Sequence, residues 1–345
     1  MKKEINLVKN IILSNFKRLK KPYKLTFAVT YNCNSKCVNC NIWKKKSTNE
    51  LTLNEIKKFF EKNNHFSWID LTGGEITKRK DIVQITETII KNCKNLYLLH
   101  YPTNAESIKK TVETTNKILA LKPHKFIVSI SLDGPPKTHN KIRGLKNSWK
   151  RSVNCYKELK KIRSSSFDVF FGMTISNDNY DKINETIKTI RKEVPNFKYS
   201  DLHINIIHES KHYYKNKIKG LKKESILKAV EKFKKKRGVP RNLREIMEYK
   251  YLSSIPKYLY TEKTPITCQA LSASCFLDPY GNIHPCIVYY KLIENIKKIN
   301  YDLKKLWQEK SIEKLRKEII QKKCQNCWTP CEAYQSILAN LKNVK

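Results

Sequence analysis

Two spacings of apolar residues alternate along the chain. Short β-rich runs occur at Leu25–Thr30, Trp68–Thr72, Leu96–Tyr101, Phe126–Leu132, Asp168–Ile175 and Asp201–Ile207. Between them apolar positions recur at helical spacing, over Leu53–Phe60, Ile82–Cys93, Ile108–Leu121, Trp149–Ile162 and Ile183–Val194. Thr52 followed three residues later by Glu55 is a capping box that starts the first of these helices. Strands alternating with helices predict parallel β/α units closed, or nearly closed, into a barrel. The spacing accommodates six such units, not eight. In this architecture chemistry sits at the C-terminal ends of the strands and in the loops after them.

The flanking segments read differently. Residues 1–24 are Lys-rich with one short apolar patch, Ile11, Ile12 and Leu13, and are expected to form an amphipathic helix over the barrel end. They carry neither the long apolar stretch nor the cleavage site of a signal peptide, so the expected location is cytoplasmic. The barrel spans 25–215. Residues 216–264 are a Lys-rich helical linker, with Pro240 and Pro256 as breaks. From 265 to 345 the pattern is a small α+β domain: short strands, a turn at Tyr280-Gly281-Asn282, one helix over Leu303–Ile320, and a dense group of cysteines. No run approaches the ~18 consecutive apolar residues that a membrane span needs.

Composition adds one temptation and one constraint. The net charge of +39 suggests a nucleic-acid partner, but only ten of the 70 basic residues are Arg, the residue that base and phosphate readers favour. The Lys is also spread over the whole chain, which argues for a generally coated surface. The constraint is the cysteine count. Eleven cysteines, odd in number and clustered at short spacings, argue for metal chemistry over disulfides.

The loop after the first strand reads Cys33-Asn-Ser-Lys-Cys37-Val-Asn-Cys40. Three thiolates so close can wrap one face of a cubane cluster, which normally takes four cysteines. Supplying three leaves one iron with an open position, as catalytic metal sites do. The alternative is a zinc site completed by His65 or His100. Near the other end, Cys268 is followed by Gly281 and Cys286, then by Cys324-Gln-Asn-Cys327 and Cys331. A four-cysteine zinc ribbon uses similar pairs. A Cys-rich zinc adaptor holding RNA on its Lys surface is therefore the rival to an iron–sulfur enzyme. Cys93 and Cys155 fall in step with apolar helix positions and read as core.

The C-x3-C-x2-C loop on a β/α barrel resembles the radical SAM superfamily, and further motifs follow in order. The second strand ends Thr72-Gly73-Gly74-Glu75, the third Thr103-Asn104-Ala105; the fourth runs Ser131-Leu-Asp133-Gly134, with His139 and Arg143-Gly144 beyond. The resemblance implies a [4Fe–4S] cluster on Cys33, Cys37 and Cys40, with S-adenosylmethionine (SAM) chelating the open iron. It implies that Gly73, Gly74 and Glu75 hold the SAM amino group, alongside Asn104. Ser131 would meet the ribose, Arg143 the carboxylate, and Ile175 the adenine. A reducing donor of flavodoxin or ferredoxin type would supply the electron that yields a 5′-deoxyadenosyl radical, which takes hydrogen from a peptide or small-metabolite substrate. One departure is Asn39, where the superfamily is usually aromatic; Trp43 follows shortly after, as a shield or as core.

Residues 265–331 resemble the SPASM and twitch auxiliary-cluster domains. This implies a second [4Fe–4S] cluster on Cys268, Cys286, Cys324 and Cys327, with Cys331 the rival for a C-terminal place and Cys275 a buried thiol. Sulfatase-maturating members carry an Asp directly after the second of these cysteines; here Ile287 stands there, against the same alcohol oxidation. In the sixth strand, period two puts His203 and Asn205 on one face. They are either substrate-facing or part of a polar barrel layer satisfied by neighbours.

Overall fold

The structure, a computed structural model, describes residues 2–341, so Met1 and residues 342–345 of the terminal segments lie outside the described residues. A first helix, α1 (Lys2–Ser14), packs Leu7, Ile11 and Leu13 against Tyr23, Trp68 and Ala273, over the N-terminal ends of the first strands. Six parallel strands then follow, within two residues of their expected ends: β1 (Lys24–Thr30), β2 (Trp68–Gly73), β3 (Leu98–Thr103), β4 (Lys125–Ser131), β5 (Phe167–Ile175) and β6 (Leu202–Ile206). They pair in sequential order, joined by α2 (Leu53–Lys62), α3 (Ile82–Asn92), α4 (Ile108–Ala120), α5 (Pro136–Arg143) with α6 (Ser148–Lys160), and α7 (Ile183–Glu193). The capping box at Thr52 and Glu55 is formed.

Alternation sorts the two faces. In β5, Phe171 stacks on Tyr156 of α6 with ring centres 4.4 Å apart, whereas Phe170 stacks on His203 of β6 at 3.7 Å inside the barrel. Helix-facing residues of β3, β4 and β5 are buried and lumen-facing ones half-buried. Across the lumen runs a buried polar layer. Lys24 pairs with Asp70 at 3.0 Å, Asp70 with His100 at 3.3 Å, and the other ring nitrogen of His100 meets Ser129 at 2.9 Å. Lys24 is fully enclosed; removing Asp70 would strand its charge, a loss of roughly 3–5 kcal/mol.

Two expectations for the later helices are corrected. After β6 come α8 (Lys223–Arg237) and α9 (Leu243–Thr261), and Pro256 sits inside α9 without ending it. Burial of Tyr251, Leu252, Ile255 and Leu259 along one side outweighs the backbone hydrogen bond that proline cannot make. The segment is thus packed structure, more than a linker. The helix expected over Leu303–Ile320 is two, α10 (Leu303–Trp307) and α11 (Lys310–Ile320). Continuing α10 would have turned Lys310 and Ser311 inward; an extended Glu309 resets the phase so that Ile312, Arg316 and Ile319 are buried instead.

The C-terminal segment joins the barrel's own sheet. Strand β7 (Ser274–Leu277) lies parallel on β1, and β8 (Asn282–His284) and β9 (Glu294–Asn295) extend it antiparallel into one nine-stranded sheet. The last helix, α12 (Pro330–Leu338), links β1 and β7 to α9, which packs against β6. Lys24 donates to the Gln335 side chain at 3.0 Å and to the Cys331 carbonyl. Tyr334 donates to Glu248 of α9, which pairs with His203 of β6. Helices α12 and α9 thus bridge the β1–β7 side of the sheet to β6. Among the described residues no helix is long and apolar enough to cross a membrane.

Candidate functional site

At the C-terminal end of β1 the chain turns into a half-exposed loop carrying Cys33, Cys37 and Cys40. Neighbours hold it from three sides. Asn104, after β3, donates to Asn34 at 3.1 Å and Ser35 at 2.7 Å. The Val38 amide donates to the Ile142 carbonyl of α5 at 2.9 Å. Gly144 caps α5 in a left-handed turn pressed on Lys36, where a Cβ would come within 2.6 Å of its carbonyl oxygen. Burial, with the nearby Cys37 adding to it, pushes the Cys33 thiol up to about 11 and Cys40 to about 12. Three mutually repelling thiolates call for positive charge among them. Arg143 supplies part of it, with Nη1 3.8 Å from the Cys37 sulfur and Nη2 2.7 Å from Asp133.

Glu75 knits the ends of β2 and β3. One carboxylate oxygen accepts from Thr77 at 2.8 Å and Thr103 at 2.9 Å; the other accepts only the Asn104 amide, at 2.7 Å. A carboxylate offers about four lone-pair sites, so that second oxygen has capacity for an ammonium. The glycines before it serve the chain itself. A Cβ on Gly73 would lie 2.1 Å from the Thr30 carbonyl oxygen, and one on Gly74 2.3 Å from that of Asn32. Their smallness lets β2 close on β1. Ser131 and Asn205 are half-buried lumen residues of β4 and β6. Ile175 is different: it shares the helix-facing row of Phe171 and Met173 and is fully buried, so its side chain turns away from the lumen where an adenine would lie. His203 lies one layer below Asn205, stacked on Phe170 and paired with Glu248 at 2.5 Å.

The second group is assembled from distant segments and is more enclosed. Cys268, Cys286 and Cys327 are buried and Cys324 is half-buried. Burial raises all four thiols, and their charges act on one another: Cys286 feels Cys327 and Cys268, while Cys327 feels Cys268 and Cys324. Cys331 faces elsewhere, toward Lys24, Asp70 and Glu332, and its own charge reaches Tyr213 and Tyr214. Cys275 is buried in β7, and Cys93 and Cys155 in the core. Neither histidine weighed for zinc joins the first loop. His100 belongs to the lumen layer, and His65 packs on Phe66. Among the described residues no three or more Cys, His, Asp or Glu converge on a point suited to a single ion. An all-thiol donor set is one that iron–sulfur clusters take and four-cysteine zinc sites share. Trp43 lies beside the first loop, its ring under Lys36 and Lys44.

Sequence reasoning missed what joins the two groups. Residues 208–216, after β6, form a strap between them. On one side the Asn41 amide donates to Tyr214 O at 2.8 Å, and Asn216 donates to Asn39 O at 3.1 Å, both flanking Cys40. On the other, the Trp328 amide donates to His208 Nε2 at 2.8 Å, and His212 Nε2 meets Cys286 O at 3.1 Å. In the middle, the Tyr213 hydroxyl sits 2.8 Å from Thr72 and accepts from the Gly73 amide at 3.1 Å. Asp133, named in the fourth-strand motif without a role, aims Arg143, and Glu248, which pairs with His203, was missed.

Comparison with known proteins agrees with this geometry. Residues 27–190 match the radical SAM superfamily, and residues 268–328 match the SPASM iron–sulfur cluster-binding domain. The antilisterial bacteriocin subtilosin biosynthesis protein AlbA of Bacillus subtilis is 24% identical over 312 residues, 83% of this chain and 62% of AlbA. The sporulation killing factor maturation protein SkfB of the same organism is 28% identical over 123 residues, 35% of this chain and 27% of SkfB. The chain thus spans less than two thirds of either relative. Streptococcus suis SuiB bound to S-adenosylmethionine shares the fold at a TM-score of 0.60 and 19% identity, covering 86% of this chain and 68% of SuiB. The anSMEcpe structure with bound AdoMet and a peptide does so at 0.59 and 16%, covering 93% and 96%. The chain carries a radical SAM domain over residues 27–190 and a C-terminal SPASM-type iron–sulfur cluster-binding domain over residues 268–328.

Proposed function

We propose that the protein is a radical SAM enzyme that modifies a peptide. The observation that carries the chemistry is the three-thiol loop beside Arg143 at the mouth of a half-open, polar lumen. Cys33, Cys37 and Cys40 would hold a [4Fe–4S] cluster, and Cys268, Cys286, Cys324 and Cys327 a second. When bound and reduced by a flavodoxin- or ferredoxin-type donor in the cytoplasm, the first cluster supplies the electron that splits SAM into methionine and a 5′-deoxyadenosyl radical able to take hydrogen from substrate. The chain's own residues bind and orient. The Glu75 oxygen that takes the Asn104 amide would also accept the SAM ammonium, and Arg143, fixed by Asp133, would face the carboxylate. Ser131 and Asn205 line the lumen below, while the strap and α12 limit water.

A peptide is favoured over a small metabolite because the relatives named above serve bacteriocin biosynthesis and killing-factor maturation, and SuiB has been solved with a precursor peptide. The test is anaerobic reconstitution followed by iron, sulfide and 5′-deoxyadenosine assays. About eight irons and slow SAM cleavage without substrate are expected from two four-iron clusters. One zinc per chain and no iron would overturn the reading.

A further inference from the structure

Beside the second cysteine group, a cleft of about 230 Å³ opens between the end of α1, the turn before β7 and α11. Its lining includes Lys17, Arg18, Gln269, Glu313, Arg316 and Lys317. Lysines coat this protein everywhere and signify little, but arginines are scarce, and two of the ten face this one cleft. Arg316 is only 6% exposed. Its Nη1 donates to the carbonyls of Cys268 and Ala270, and Arg18 Nη2 donates to Trp307 O at 2.7 Å. The Nε–H of each arginine is buried and without a hydrogen-bond partner. Each guanidinium also acts on the other or on Glu313, the one carboxylate among the described residues lining the cleft. Glu313 is more than half exposed and leans toward Lys317 at 3.8 Å.

Two neighbouring guanidiniums, one buried and one half-buried, each with an unused Nε–H donor, make a frame for a planar or tetrahedral oxyanion. The cleft also holds one unused acceptor, the buried Oε1 of Gln269. An anion with no hydrogen of its own would leave that acceptor unmet, at a cost comparable to a lost hydrogen bond. We propose that this cleft binds an oxyanion that also carries a hydrogen-bond donor, either a hydrogenphosphate or a carboxylate beside an N–H. Arg18 and Arg316 grip the oxygens and Gln269 accepts the donor. The site abuts the second cysteine group through Arg316 but has no part in the chemistry proposed above, and its test is binding alone.

Calorimetry on the anaerobically reconstituted protein, at constant ionic strength, compares phosphate with sulfate and N-acetylglycine with acetate. In at least one pair the donor-bearing anion is expected to bind about tenfold tighter, the value of one hydrogen bond to a charged ligand. Preference in the phosphate pair alone identifies free phosphate, and in the N-acetylglycine pair a peptide carboxylate. Arg18→Gln, which leaves the Arg316 contacts to the Cys268 turn in place, should weaken the preferred anion about tenfold. Gln269→Met should erase the preference while retaining oxyanion binding. Equal binding within both pairs, or an Arg18→Gln protein that binds like the parent, reduces the cleft to unspecific surface charge and overturns the proposal.

Discussion

The two cysteine groups solve the same problem of holding thiolates together in opposite ways. The first lies within eight residues of one loop, half-exposed, with an arginine at its edge and the lumen open before it. The second draws buried thiols from three separate stretches of chain, and Arg316 pins the carbonyl of Cys268 while His212 pins that of Cys286. A local, open group can exchange ligands without disturbing the fold. A non-local, closed group cannot, because the metal itself ties the segments. The first has the form of a reaction centre and the second that of a structural or electron-handling one.

That contrast yields its largest test in cysteine deletions. Replacing Cys33, Cys37 and Cys40 by Ala should abolish SAM cleavage and remove about half of the iron, as expected for one of two four-iron clusters. The unfolding midpoint should move little. The double variant Cys324→Ala, Cys327→Ala should lose a similar share of iron and also unfold at clearly lower temperature, because the metal contributes folding energy there. Given folded protein, uncoupled 5′-deoxyadenosine formation should persist in the double variant. Equal destabilisation by the two sets would erase the distinction between the sites.

A second test separates binding from scaffolding at the open site. Arg143→Ala should weaken SAM binding by losing a charge-assisted contact of roughly 1.5–3 kcal/mol, and should also strand the buried Asp133 carboxylate. Combining it with Asp133→Asn should restore much of the stability but none of the SAM affinity, read by thermal unfolding and by calorimetry. Recovery of affinity in the double variant would show that Arg143 acts only on the fold.

The same contrast explains what could be read from the chain. The three-cysteine loop, the capping box and the six strands are local patterns, and each lies within two residues of its expected place. What escaped reading depends on distant partners. Nothing near Ser274 says that β7 will dock on β1, nothing near His208 and His212 says that they meet Trp328 and Cys286, and Glu248 gives no sign of His203. Pro256 was misread because propensity is a local quantity, whereas the side of α9 that it follows is buried by the barrel and α12. Ile175 shows the limit of motif transfer: period two along β5 already turned it outward, opposite to Phe170.

A smaller effect concerns α12, beside the second group. Glu332 in α12 is buried, accepts from Ser274 and Gln335, and is pushed up to about 7 by burial despite nearby Lys24. An acid raised in the folded state favours folding while protonated. Its contribution is therefore full below the unfolded value near 4.5 and is lost as pH rises through about 7. Glu332→Gln should remove that loss. The midpoint of the parent relative to the variant should fall between pH 5 and pH 8, and a constant difference would place the titration elsewhere.

The smallest expected effect bears hardest on the ligand set. Cys331 follows Cys327 closely and competes with it in the sequence, but its thiol faces Lys24, Asp70 and Glu332, and its charge reaches the strap tyrosines instead of the other four cysteines. It stands on the chamber side of α12, between the two groups. Cys331→Ala should therefore keep full iron and sulfide, keep both clusters' electron paramagnetic resonance signals, and leave SAM cleavage without substrate unchanged. Removing one sulfur from a buried wall should cost no more than about 1–2 kcal/mol, a modest drop in unfolding midpoint. Cys324→Ala supplies the control, with the second signal altered or lost. Loss of that signal in Cys331→Ala together with its survival in Cys324→Ala would move the fourth ligand onto α12. The second group would then hold α12 directly.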